Sequence, residues 1–140
     1  MIKNERQLKI TKSRLAEFES ALNKLTGDPA SSKSLRVKMQ VDALGSDIEV
    51  MRADVAEYEK LKRGKVKTLT AKTFHELPEV IIKARIARAM TQKQLAESLG
   101  MKEQQIQRYE SSNYASVSFS TIVRIIDALG VTVEEKVTLG

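Results

Sequence analysis

The chain contains no cysteine, no tryptophan and a single histidine, His75. Without thiols it can form no disulfide, no thiolate metal site and no cysteine nucleophile. One imidazole builds neither a histidine-rich metal site nor, with carboxylates scattered along helical segments, a catalytic triad. No nucleotide-binding glycine pattern is present. The sequence therefore offers no catalytic residue, no metal ligand set and no cofactor site, and His75 is expected to lie near the surface. No uninterrupted apolar run approaches the roughly 18 residues that span a bilayer, and no apolar stretch of signal-peptide type follows the charged start Met1-Ile2-Lys3-Asn4-Glu5-Arg6. Together with the lack of cysteine, this leads to the expectation of a soluble protein in a reducing cytoplasm.

Proline (2), glycine (6) and aromatics (4%) are also scarce, whereas 41% of the 140 residues are apolar and 30% are charged. A core made of Leu, Ile, Val, Met and Ala with so few breakers reads as all-α. The net charge is +6, and its distribution is uneven. Residues 1–62 are nearly balanced, residues 63–124 hold 11 basic against 5 acidic side chains, and the end of the chain sets Lys136 against Asp127, Glu134 and Glu135. A polyanion would find its cations in the middle segment.

The first half carries two heptad patterns. Leu8, Leu15 and Leu22 recur every seven residues with Phe18 and Leu25 interleaved, Thr11 being the polar exception. The breaker Gly27-Asp28-Pro29 should end that helix. After Ser31-Ser32, Val41, Leu44, Ile48, Met51, Val55 and Tyr58 step by three and four, the a/d seam of a coiled coil. Residues 1–62 are thus expected to form an antiparallel, coiled-coil-like hairpin that dimerises or binds a partner. Residues 63–76, with Arg63, Lys65, Lys67 and Lys72, read as a basic linker for which plain solvation is the simplest account. Met39, Met51, Met90 and Met101 are expected to fill seams and core.

Residues 77–140 read as short helices. Pro78 suits a first helical turn; Val80, Ile81, Ala84, Ile86 and Ala87 face inward, with an end near Met90. Thr91 can cap a helix that Gly100 closes, and a third helix runs from about Lys102 to Ser111. Ser118 can cap a fourth, with Ile122, Val123, Ile125, Ile126 and Leu129 inward and Gly130 at its end. The alternation in Val131–Val133 and Val137–Leu139 leaves a short C-terminal strand or an extended arm open.

Within this half, Leu95, Ala96 and Leu99 form an inner face, Ala96 is small where helices would cross, and Met101 and Ile106 plug the angle after Gly100. Lys102, Glu103, Gln104, Gln107 and Arg108 are left outside. Base edges in a major groove present paired groups, which Gln reads on adenine and Arg on guanine. The plain alternative is a solvated polar face, and the tight turn and plugged angle around it weigh against that. On this pattern, Thr91-Gln92…Leu95-Ala96…Leu99-Gly100…Ile106…Tyr109-Glu110…Leu129-Gly130-Val131, residues 80–131 resemble the Cro/repressor, or Xre, helix-turn-helix family. The resemblance implies a four- to five-helix lambda-repressor-like domain that binds double-stranded DNA, with Gln92 on a phosphate and Lys102, Glu103, Gln104 and Arg108 at the bases. It also implies a structural salt bridge between Arg85 and Glu110. The loop after Ser111 holds no cation. Asn113 and Tyr114 are its hydrogen-bonding candidates, and Lys93 joins Lys102 and Arg108 as the ionic ones. A hairpin followed by such a domain resembles bacterial regulators. That implies a homodimeric, nucleoid-associated repressor of a near-palindromic operator, or an antitoxin or adaptor whose hairpin neutralises a protein partner such as a toxin.

Overall fold

A computed structural model describes residues 1–29 and 34–140. The described residues form six α-helices and no strand, and they divide into two compact units, residues 1–60 and 61–140. None of the helices is long and apolar enough to cross a membrane.

In the first unit α1 spans Glu5–Thr26 and α2 Leu35–Lys62. Asn4 caps α1 by accepting from the Gln7 amide at 2.9 Å, while the Gln7 side chain accepts from the Lys3 amide at 2.8 Å. The first of these bonds satisfies one of the helix's orphan donors, and the second ties down the residue before the cap. Gly27 follows the last turn; Ser31 and Ser32, between the two heptad patterns, lie outside the described residues. The helices are antiparallel. As α1 advances from Lys12 to Glu19, its partners on α2 run backwards from Glu59 (2.5 Å) to Arg52 (2.7 Å). The Tyr58 hydroxyl donates to Glu5 at 3.0 Å. Seam residues Leu8, Ile48 and Tyr58 are buried, while Leu15, Phe18, Leu22, Leu25, Val41, Leu44, Met51 and Val55 are half-buried. Two helices cover each other's seams on one side only, so such partial burial is what a lone hairpin can reach. Met39 departs from the sequence expectation: it is 64% exposed, because it points away from the seam and no described residue of this unit covers that side.

The second unit contains a 3-10 turn, Phe74–Glu76, and then α3 Leu77–Ala87, α4 Gln92–Leu99, α5 Glu103–Ser111 and α6 Phe119–Leu129. His75 is exposed in the 3-10 turn, and Pro78 lies in the first turn of α3, where a missing N–H costs nothing. α4 packs on α5 and α6, and α3 on α6. Ile82, Leu95, Ile106 and Ile125 are completely buried, with Ile81, Ile86, Ala96 and Leu129 nearly so. Each such aliphatic side chain contributes about 1.5–3 kcal/mol of transfer free energy. Ile82 is a core residue that the helical reading of this segment passed over. Val123, expected inward, is 39% exposed, since it faces the side of α6 away from α3 and α4.

α3 ends three residues before Met90. Ala89 takes a left-handed conformation (φ +54) as the Ala89 and Met90 amides donate back to Ile86 and Arg85, the wrapping that terminates helices at glycine. An alanine there is strained by about 1 kcal/mol. Replacing the exposed Ala89 with Gly should therefore raise the stability of this unit by up to about 1 kcal/mol, measurable in denaturant titrations. Beyond Gly130 the chain has neither helix nor strand, and Val137 and Leu139 are 84% and 91% exposed. Alternation alone makes no strand without a neighbouring edge to bond.

Candidate nucleic-acid interface

Two helices joined by a three-residue turn form the candidate interface. α4 begins with a reciprocal capping box: the Gln94 amide donates to Thr91 Oγ1 at 3.1 Å, and the Thr91 amide donates to Gln94 Oε1 at 2.9 Å. It ends at Gly100, whose φ of +65 lets the Gly100 and Met101 amides bond back to Glu97 and Ala96. A side chain at that φ is strained, so glycine sets the sharpness of the turn. Arg124 on α6 donates to the Leu99 carbonyl at 3.2 Å, placing a cation at the negative end of α4. Ala96, 1% exposed, permits the close crossing with α5.

α5 is anchored by Ile106 and Glu110, both fully buried. With about 100° between successive helical residues, these two turn Gln104, Arg108 and, toward one flank, Gln107 outward. Lys102 is the N-cap of α5 and provides no side-chain cap. Lys93, Lys102, Gln104 and Arg108 are exposed, and among the described residues none of their side chains has a polar partner. Glu103 and Gln107 are exposed but engaged, the Gln107 amide donating to the Glu103 carboxylate at 3.3 Å. Glu103 is thus tied to its neighbour one turn on.

Beneath this face lies a buried charged network. Arg85 Nε and Nη2 grip the two Glu110 oxygens at 2.7 Å each, and Nη1 donates to the Met90 carbonyl at 2.8 Å. The ion pair implied by the family resemblance is therefore present, with side chains 4% and 0% exposed. Gln92 belongs to the same network. It is 5% exposed, and its amide donates to Glu110 Oε1 at 3.1 Å. Its side chain is a brace between α4 and α5 in the free protein rather than an outlying phosphate ligand. The expected N-cap at Thr91 placed Gln92 at the start of α4, but nothing local showed which way its side chain would turn.

Tyr114 requires a correction. The loop reading placed it with Asn113 among the DNA-contacting residues, but Tyr114 is 4% exposed and its ring lies 6.3 Å from that of Tyr109. Asn113 and Tyr114 both take left-handed conformations (φ +49 and +58). That turns the exposed Asn113 outward and the tyrosine in. The Tyr114 hydroxyl is buried with no hydrogen-bond partner among the described residues. Burial pushes its pKa up, and the Glu110 carboxylate adds to the rise while Arg85 opposes it. An unpaired buried hydroxyl costs about 1–3 kcal/mol, so Tyr114→Phe should stabilise the protein by about 1 kcal/mol in thermal melts and leave DNA affinity unchanged.

Among the described residues no cluster of His, Asp or Glu gathers as a metal site. Residues 81–136 match the helix-turn-helix family. No curated protein and no solved structure gives a significant match to the chain.

Proposed function

We propose, from the premise that residues 81–136 are a helix-turn-helix domain of the Cro/repressor, Xre-like type, that the protein is a repressor binding a near-palindromic operator as a homodimer. DNA binding and transcription regulation are the general property of that domain family. The observation that carries the finer reading is the set of unpartnered side chains on and beside α5. Gln104 and Arg108, one turn apart on the outward face, have the paired donors and acceptors that read adenine and guanine edges. Lys93 and Lys102 flank them as phosphate contacts, whose attraction is independent of sequence. Asn113, exposed in the cation-free loop, adds a neutral hydrogen bond.

The mechanism follows from rigidity. The capping box, Gly100 and the Arg85–Glu110–Gln92 network hold α4 and α5 at a fixed angle, so docking α4 against the phosphates delivers α5 into the major groove. Two copies would present their α5 helices about 34 Å apart, one helical turn of DNA. Bound there, the dimer blocks transcription, its own gene being the first candidate. Footprinting on the DNA upstream of that gene tests this reading. Two protected half-sites with centres about 10 base pairs apart are expected, and a single continuous patch with no dyad would refute the dimeric operator. Titrating salt in the same assay should give a log–log slope that falls by about one when Lys93 becomes Ala, with all sequences weakened evenly.

A further inference from the structure

The outer side of α2 carries a second apolar stripe. At about 100° per residue, Leu35, Met39, Val50 and Ala53 share a face with Asp42 and Ser46, and this face is opposite the seam of Val41, Leu44, Ile48 and Met51. Leu35 is 74%, Met39 64% and Val50 61% exposed. Isolated exposed apolar residues need no explanation, but a stripe along one helix face does. Its charged borders are ordered. One border carries Lys38 and then Glu49; the other carries Arg36 and then Asp47. The cations lie toward the start of the helix and the anions follow. All four side chains are exposed and, among the described residues, have no partner.

The geometry points to this face as a self-complementary interface in which α2 pairs antiparallel with α2 of a second copy. When two identical helices meet about a perpendicular two-fold axis, each border meets the same border of its mate running the other way. With the axis level with residue 44, Lys38 lies against Glu49 of the second copy, a contact that occurs twice. In the same register Met39 packs beside Val50 of the second copy, Leu35 beside Ala53 of the second copy, and Asp42 accepts from Ser46 of the second copy. One register thus satisfies the apolar stripe, the Lys38–Glu49 border and the central polar pair. A parallel arrangement would instead bring opposite borders together, Lys38 near Arg36 and Glu49 near Asp47 of the second copy, like charge against like. The pairing rests on the homodimer reading above and specifies which surface makes the dimer.

Sedimentation of the full-length protein with two charge-reversal variants, K38E and E49K, tests the pairing. Each variant alone places like charges across the Lys38–Glu49 border at both of its symmetry-related contacts, so its self-association should weaken by at least about tenfold at low salt. An equimolar mixture puts every reversed charge opposite its complement, and should form a heterodimer within a few-fold of wild-type affinity. That restoration also shows both variants to be folded. If both variants dimerise as wild type does, or if the mixture fails to pair, the α2 interface is wrong while the homodimer reading stands. Dissociation by Phe119→Ser but by neither reversal would place the contact on α6 and overturn the proposal likewise. A wild-type protein that stays monomeric in solution and on DNA would sink the homodimer reading itself.

Discussion

Glu110→Ala destabilises the helix-turn-helix unit by about 3–5 kcal/mol, the largest effect expected of any single substitution in the chain. Glu110 is 0% exposed and accepts two bonds from Arg85 and one from Gln92. Removing the carboxylate strips a buried guanidinium of its counter-charge and releases the brace on α4. Since a natural domain is stable by only about 5–15 kcal/mol, this loss would leave a large unfolded fraction near physiological temperature. The ion pair itself is a weaker source of stability than that number suggests, because desolvating both charges offsets most of their attraction. The double variant Arg85→Met/Glu110→Leu should therefore be far closer to wild type than Glu110→Ala. Urea denaturation of the three proteins checks both statements. Equal losses in the single and double variants would show that the network is not acting as a charge pair.

Arg108→Ala costs about 1–3 kcal/mol of binding to the preferred DNA and little on unrelated DNA. The side chain is exposed on the outer face of α5 and is unpartnered among the described residues, so its removal disturbs neither the core nor the turn. Gln104→Ala, one turn earlier, should relax preference at a different base position. Replacing Lys93 lowers affinity for every sequence by a similar factor, because a phosphate contact carries no base information. Competition binding with matched and scrambled duplexes separates the two classes. A loss for Arg108→Ala as large on scrambled DNA as on the preferred site would reassign Arg108 to the phosphates.

The sequence exposed what depends on local chemistry. Thr91 and Ser118 cap helices because a hydroxyl after an extended residue reaches the free amides of the next turn. Gly100 and Gly130 end helices because they tolerate positive φ. The seven-residue repeats of α1 and α2 identified the side of each helix that is covered. The all-helical class and the helix-turn-helix segment were legible for the same reason, many local signals agreeing with one another.

What stayed hidden depends on surroundings that no local pattern encodes. Val123 and Met39 are as apolar as their buried neighbours, and they stay in solvent because each lies on the helix face turned away from its packing partner. Ala89 ends α3 at a positive φ without any glycine to announce it. Tyr114 reads as a polar loop residue until two consecutive left-handed residues turn it inward. The side chain of Gln92 is directed by a carboxylate 18 residues away, a contact that exists only once α4 and α5 have packed.

The central claim is that the outward face of α5 reads bases. Selection of binding sites from a random pool of double-stranded DNA, run in parallel with wild type and Gln104→Ala, tests it most directly. Wild type should enrich a motif with dyad symmetry, and the variant should enrich the same motif with preference lost at one symmetry-related pair of positions. Identical motifs from the two proteins, or no enrichment by wild type, would contradict the claim.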